Sequence, residues 1–138
     1  MTRDQMLQTI GEVYRARVRG DVDAMMAFMT DDARFALNAA APMPQLSLVV
    51  QGAEPIRRAL QGLVDDVEFR DLEILDSVVE GTKAAIRIRF TACARASGNS
   101  VQTESLDLVE FRDGKVSSYI QFFDTAAAQA LMAAPHGD

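Results

Sequence analysis

A chain of 138 residues with 49% hydrophobic and 25% charged side chains has the make-up of one globular domain around a single core. Its 14 basic against 20 acidic residues leave a net charge of −6, which argues against a nucleic-acid surface and against an anionic membrane face. The lone cysteine, Cys93, cannot form an intrachain disulfide and fits a reducing, cytoplasmic setting.

The opening MTRDQMLQ lacks a signal-peptide pattern, and no apolar run approaches the roughly 18 residues of a membrane helix. Thr2 to Gln5 reads as a capping box, and Met6, Leu7, Ile10, Val13, Tyr14 and Val18 follow at helical spacing. Gly20 ends this first helix, because glycine accepts the left-handed conformation past a last turn. Asp21 caps a second, shorter helix with Val22, Met25, Met26 and Met29 on it. Thr30-Asp31-Asp32 then turns the chain into a short strand, Arg34 to Asn38.

Residues 39–52 (AAAPMPQLSLVVQG) begin with prolines that exclude a helix, and Leu46 to Val50 is a candidate strand. Pro55 opens a third helix whose buried stripe is Ile56, Ala59, Leu60 and Leu63. From Val67 the period changes to two. Strands are expected near 67–79, 83–96, 100–111 and 115–124, with turns at Glu80-Gly81-Thr82, Ser97-Gly98-Asn99 and Arg112-Asp113-Gly114. An alanine-rich helix, Thr125 to Ala134, closes the domain, and residues 135–138 form a tail.

Helices first and an antiparallel meander after them define an α+β fold. A long curved antiparallel sheet with helices on one face would make a cone, and the open end of a cone is a natural pocket. Asp107 is the residue that does not fit a plain strand, since it stands between Leu106 and Leu108. Its direction follows from the turn: a two-residue turn at Asp113-Gly114 pairs Phe111 with Val116 and puts Asp107 on a face with Val116, Ile120 and Phe122, whereas a three-residue loop separates polar from apolar better and is the register expected. A three-residue loop, Arg112-Asp113-Gly114, puts Ser105, Asp107, Val109, Phe111, Ser117, Tyr119, Gln121 and Phe123 on one face. It puts Leu106, Leu108, Glu110, Val116, Ser118, Ile120 and Phe122 on the other. Asp107 then lies across from Tyr119 as the polar floor of the pocket, and the bare apolar face is expected to pair with a second copy in a homodimer.

A carboxyl in an apolar cavity has its pKa raised, so Asp107 is the candidate acid, base or neutral donor; the bland alternative is a polar residue held by Tyr119 and water. Tyr14 is either a donor into the cavity or a ring packed in the core. Asn38, Tyr119, Gln121, Phe123 and Met26 are the candidate ligand-binding residues, and Met25, Met29 and Met43 either share a soft lining with Met26 or are simply core. Arg87 and Arg89 read as a solvated or interface face. Cys93 has no histidine to activate it, because the one histidine, His136, stands in the tail. No metal constellation and no phosphate loop is visible in the sequence, so no cofactor is expected.

GDVDAMMAFMTDDARF and LDLVEFRDGKV…FFD, in this order of helices and strands, resemble the nuclear transport factor 2-like superfamily. Within it the chain is similar to SnoaL-like polyketide cyclases and ketosteroid isomerases. The resemblance implies a cone-shaped, commonly dimeric fold whose cavity holds a small apolar molecule. It matches Asp107 to an acid that donates a hydrogen bond to a developing oxyanion, and Tyr14 approximately to its tyrosine partner. The general base of the isomerases falls on Leu37, or on Asn38 with a slip of one, and neither accepts a proton from carbon. The enzyme expected from the resemblance is a cofactor-free isomerase or cyclase; the alternative is a protein that binds its ligand without turning it over.

Overall fold

In the computed structural model, residues 1–38 and 47–133 are described. Helix α1 (Arg3–Arg19) starts from the capping box: Thr2 accepts from the Gln5 N–H, and the Gln5 side chain accepts from the Thr2 N–H at 2.8 Å. Gly20 ends it at φ 72°, where a side chain would be strained. Asp21 caps α2 (Val22–Ala27) by accepting from the Ala24 N–H at 3.0 Å. The helix is shorter than the spacing predicts, and Met29 belongs to strand β1 (Met29–Asn38). Strand β2 (Leu48–Gln51) and helix α3 (Ala53–Asp66) follow, then the meander β3 (Val67–Glu80), β4 (Lys83–Ala94), β5 (Ser100–Arg112) and β6 (Lys115–Phe123), and helix α4 (Thr125–Met132). Met43, the prolines after Asn38, Leu46 and the tail lie outside the described residues.

The six strands form one curved, unclosed sheet in the order β2-β1-β6-β5-β4-β3. The meander is antiparallel as expected, but β1 joins β6 in parallel, so the sheet is mixed rather than wholly antiparallel. This follows from connectivity. The first strand is added beside the last, and the two run the same way only because α3 and the meander lie between them. One face packs on the helices through a core that includes Ile10, Tyr14, Ile56, Leu60, Ile86, Ile88, Val109 and Tyr119. Alternation along β4 and β5 sorts buried from open residues, as a half-covered sheet requires.

The β5–β6 hairpin turns differently from the expectation. Arg112 pairs with Lys115, so Asp113-Gly114 is a two-residue turn, with φ 53° and 80° suited to the primed hairpin type. The frame shift comes instead from a bulge on β6 between the Phe111–Val116 and Glu110–Ser118 pairs. The predicted polar face survives, but the partners move by two: Asp107 lies across from Gln121, and Tyr119 from Val109. Val116, expected on the outer face, pairs with Phe111 and is buried in the core.

Candidate functional site

Helix α1 lays Met6, Ile10, Val13, Tyr14, Ala16 and Arg17 on its buried side, which aims Tyr14 at the sheet. On β5 the inward positions are Ser105, Asp107 and Val109, and Tyr119 points inward from β6. These side chains converge on one carboxyl. Tyr14 donates its hydroxyl hydrogen to Asp107 Oδ2 at 2.7 Å, Tyr119 donates to the same oxygen, and Ser105 Oγ donates to Oδ1 at 3.2 Å. Tyr119 reaches Asp107 diagonally across the strand pair, with its ring centroid 5.8 Å from that of Phe35.

Asp107 is 0% exposed. Burial holds its carboxyl above the usual range, while the hydrogen bonds from Tyr119, Tyr14, Gln121 and Ser105 pull the other way. Both phenols are also pushed well above their ordinary value, first by burial and then by the charge of Asp107. Neither tyrosine ionises near neutral pH. The proton that moves in this cluster is therefore the carboxyl's.

The cluster backs a cavity of about 120 Å³ beneath the helices. That is comparable to an apolar cavity that holds a benzene-sized molecule. Met25, Met29, Phe35, Leu37, Leu60, Leu63, Phe69, Phe90, Phe123 and Leu131 make most of its wall. Tyr14, Tyr119, Gln121, Thr103, Arg17 and Asp124 supply its polar points. Tyr14, Tyr119, Gln121 and Phe123 therefore stand where the sequence reading puts them.

Three expected residues do not. Asp107 is not on the wall: it lies behind Tyr14 and Tyr119 and reaches the cavity only through their hydroxyls. Asn38 is exposed at the end of β1, because the alternation that turns Phe35 and Leu37 inward turns Asn38 out. Met26 is half-buried but off the wall, which its neighbours Met25 and Met29 line. Arg17 and Thr103 are on the wall and were missed. An arginine within the apolar stripe of α1 was the visible signal for the first. Inward parity with Ser105 and Asp107 was the signal for the second. Among the described residues, no three His, Cys, Asp or Glu side chains gather as a metal site would need, and no helix is long and apolar enough to cross a membrane.

The same architecture occurs in solved structures. An NTF2-like protein of unknown function from Burkholderia pseudomallei superposes with a TM-score of 0.83 at 21% identity, covering 97% of this chain and 100% of that one. A protein with a ketosteroid isomerase-like fold from Catenulispora acidiphila, solved in complex with trimethylamine, gives 0.77 at 12% identity over 92% and 93%. An LEH-like epoxide hydrolase from M. tuberculosis gives 0.73 at 15% identity over 94% and 90%. At these identities the likeness is one of fold. No curated protein matches the chain. The SnoaL-like domain matches residues 10–119, most of the chain and every element from the buried side of α1 to Tyr119, and the protein belongs to the SnoaL-like domain family.

Proposed function

We propose that the cavity binds a small, largely apolar carbonyl compound, with the Tyr14 and Tyr119 hydroxyls at its oxygen and the Asp107 carboxyl behind them. The observation that carries this reading is that both hydroxyls meet on Asp107 Oδ2 at the wall of a largely apolar cavity. When Asp107 is ionised, both tyrosine hydrogens are spent on it. When it is neutral, its own O–H donates to one phenol oxygen, and that phenol's hydrogen is free for the ligand. Burial favours the neutral form, as an oxyanion-side acid requires.

The chemistry that fits is cofactor-free acid/base catalysis of the isomerase or cyclase kind. The tyrosine O–H polarises the carbonyl while a base removes the proton on the adjacent carbon. Leu37, where the isomerase base was sought, is apolar and buried. Among the described wall residues the carboxylate in place is that of Asp124, whose Oδ1 accepts from the Ala127 N–H at 3.0 Å and whose Oδ2 remains for a proton. The second reading, binding without turnover, is favoured by the other duty of Asp124, which caps α4.

Cyclohexanone in deuterated water separates the two. Turnover predicts exchange of its α-hydrogens by NMR, lost in Asp124→Asn and in Asp107→Asn; affinity without exchange selects the binding protein. Either way, Tyr14→Phe should weaken cyclohexanone binding by about tenfold, the worth of one such hydrogen bond. Unchanged dissociation constants in both Tyr14→Phe and Tyr119→Phe would sink the placement of the carbonyl. The outer sheet face, with Leu106, Leu108 and Phe122 more than a third exposed, supports a homodimer joined sheet to sheet. Sedimentation at micromolar concentration should give twice the chain mass, and a monomer refutes it.

A further inference from the structure

Arg17 is a cation inside the apolar wall. It is 8% exposed and lines the cavity, yet among the described residues no carboxylate stands within 4.0 Å of it. Both of its hydrogen bonds leave from Nη2, to the Leu63 carbonyl at 3.3 Å and the Val67 carbonyl at 2.7 Å. These are the carbonyls at the end of α3, so they fix the guanidinium and offset part of its charge. Nε and Nη1 have no partner among the described residues. The guanidinium lies over the Phe69 ring, 3.9 Å from its centroid.

Thr103 Oγ1 is buried without a hydrogen-bond partner. Thr103 lies across from Phe90, which stacks on Phe69 at 4.1 Å, the ring the guanidinium covers. Burial and the nearby Arg95 push the Arg17 pKa down to about 10, so it stays charged at neutral pH. A largely buried cation whose remaining donors face an apolar cavity is complementary to an anion.

We infer that the cavity selects a small carboxylate with an apolar body, its head group held by the free guanidinium edge of Arg17. The inference rests on the cavity being the ligand site proposed above, and it names the ligand's other end. Tyr14 and Arg17 are one turn apart on α1, so their side chains leave the helix on the same side. A molecule that meets both is a small oxo acid. A planar fork suits a carboxylate better than any neutral group.

The test is calorimetric binding of cyclohexanecarboxylate and cyclohexanecarboxamide to the intact protein at neutral pH. The carboxylate should bind about tenfold or more tightly than its neutral isostere, as a charge-assisted pair predicts. Arg17→Lys, which keeps the charge but loses the planar fork, should narrow that preference and leave amide affinity unchanged. Arg17→Met should abolish the preference; because Arg17 also holds α3, circular dichroism must show that variant folded, and Arg17→Lys carries the test if it is not. Equal binding of acid and amide, or no carboxylate binding at millimolar concentration, overturns the inference. The cyclohexanone experiment is independent of both arms. Ketone binding with no carboxylate preference defeats the Arg17 assignment alone, and loss of all three ligands defeats the cavity itself.

Discussion

Two carboxylates three residues apart on β5 live in opposite worlds. Asp107 faces inward, fully buried, and its pKa is raised by the loss of water. Glu104 faces outward and accepts from Arg87 Nε at 2.6 Å, which holds its pKa below the usual range. The chemical group is the same; the strand's alternation decides which is a solvated ion and which is a titratable part of a cavity wall. The outer face treats its charges as pairs, with Arg89 on Glu73 beside Arg87 on Glu104. The inner face treats its one acid as a hub for hydroxyls.

The sharpest way to break this contrast is to remove the hub. Asp107→Ala leaves the Tyr14 and Tyr119 hydroxyls buried without their acceptor and opens a small void. It should cost about 2 kcal/mol of stability, the usual penalty for orphaned buried polar groups. Chemical denaturation should show the loss as a lower midpoint with an unchanged slope. A variant as stable as the wild type would mean that the cluster is not held by Asp107.

The next largest effect is alkaline. The chain has two tyrosines, and both are in the cluster. A folded pKa raised above the unfolded value, about 10, means that the native state keeps the phenolic protons longer than the unfolded chain does. Their contribution is therefore fully present below about pH 10 and is lost as pH rises above it. Phenolate absorbance should stay flat until the protein unfolds and should then rise together with the loss of circular dichroism. A phenolate signal that appears in the folded protein would place at least one hydroxyl in water rather than on Asp107.

Much of this was legible in the sequence. The capping box, Gly20, the period-two strands and the turn glycines are local signals, and each element they mark is present. The inward direction of Asp107 was legible as well, because parity is a local property of the strand. Its cross-strand partner was not. A two-residue turn followed by a bulge and a three-residue loop give Asp107 the same face, yet they differ by two in register, and only the bulge carries Val116 into the core. The parallel joint between β1 and β6 was hidden for a related reason: pairing between distant strands is set by tertiary packing. Asn38 was placed by analogy with a base position, and alternation from Phe35 and Leu37 already argued against it. Arg17 stands on the apolar stripe, but a charge near a helix end ordinarily reaches water, so its place on the cavity wall is set by packing that the sequence does not display.

The smallest effect tests the other member of the pair. Glu104→Gln removes the charge that Arg87 holds on the outer face. Because the Glu104 pKa is lowered, its contribution exists above the unfolded carboxylate value and fades as pH falls through the folded one. Both side chains are open to solvent, so water and salt screen the attraction, and ordering two long side chains offsets what remains. The melting temperature at neutral pH and physiological salt should stay at the wild-type value, and any difference seen at low ionic strength should vanish as salt is added. A loss matching that of Asp107→Ala would show Glu104 to be buried in solution. The sheet-to-sheet dimer could bury it, since Glu104 lies next to Leu106 on β5. Repeating the melt over a range of protein concentrations tells the two cases apart, because only a dimer's transition moves with concentration.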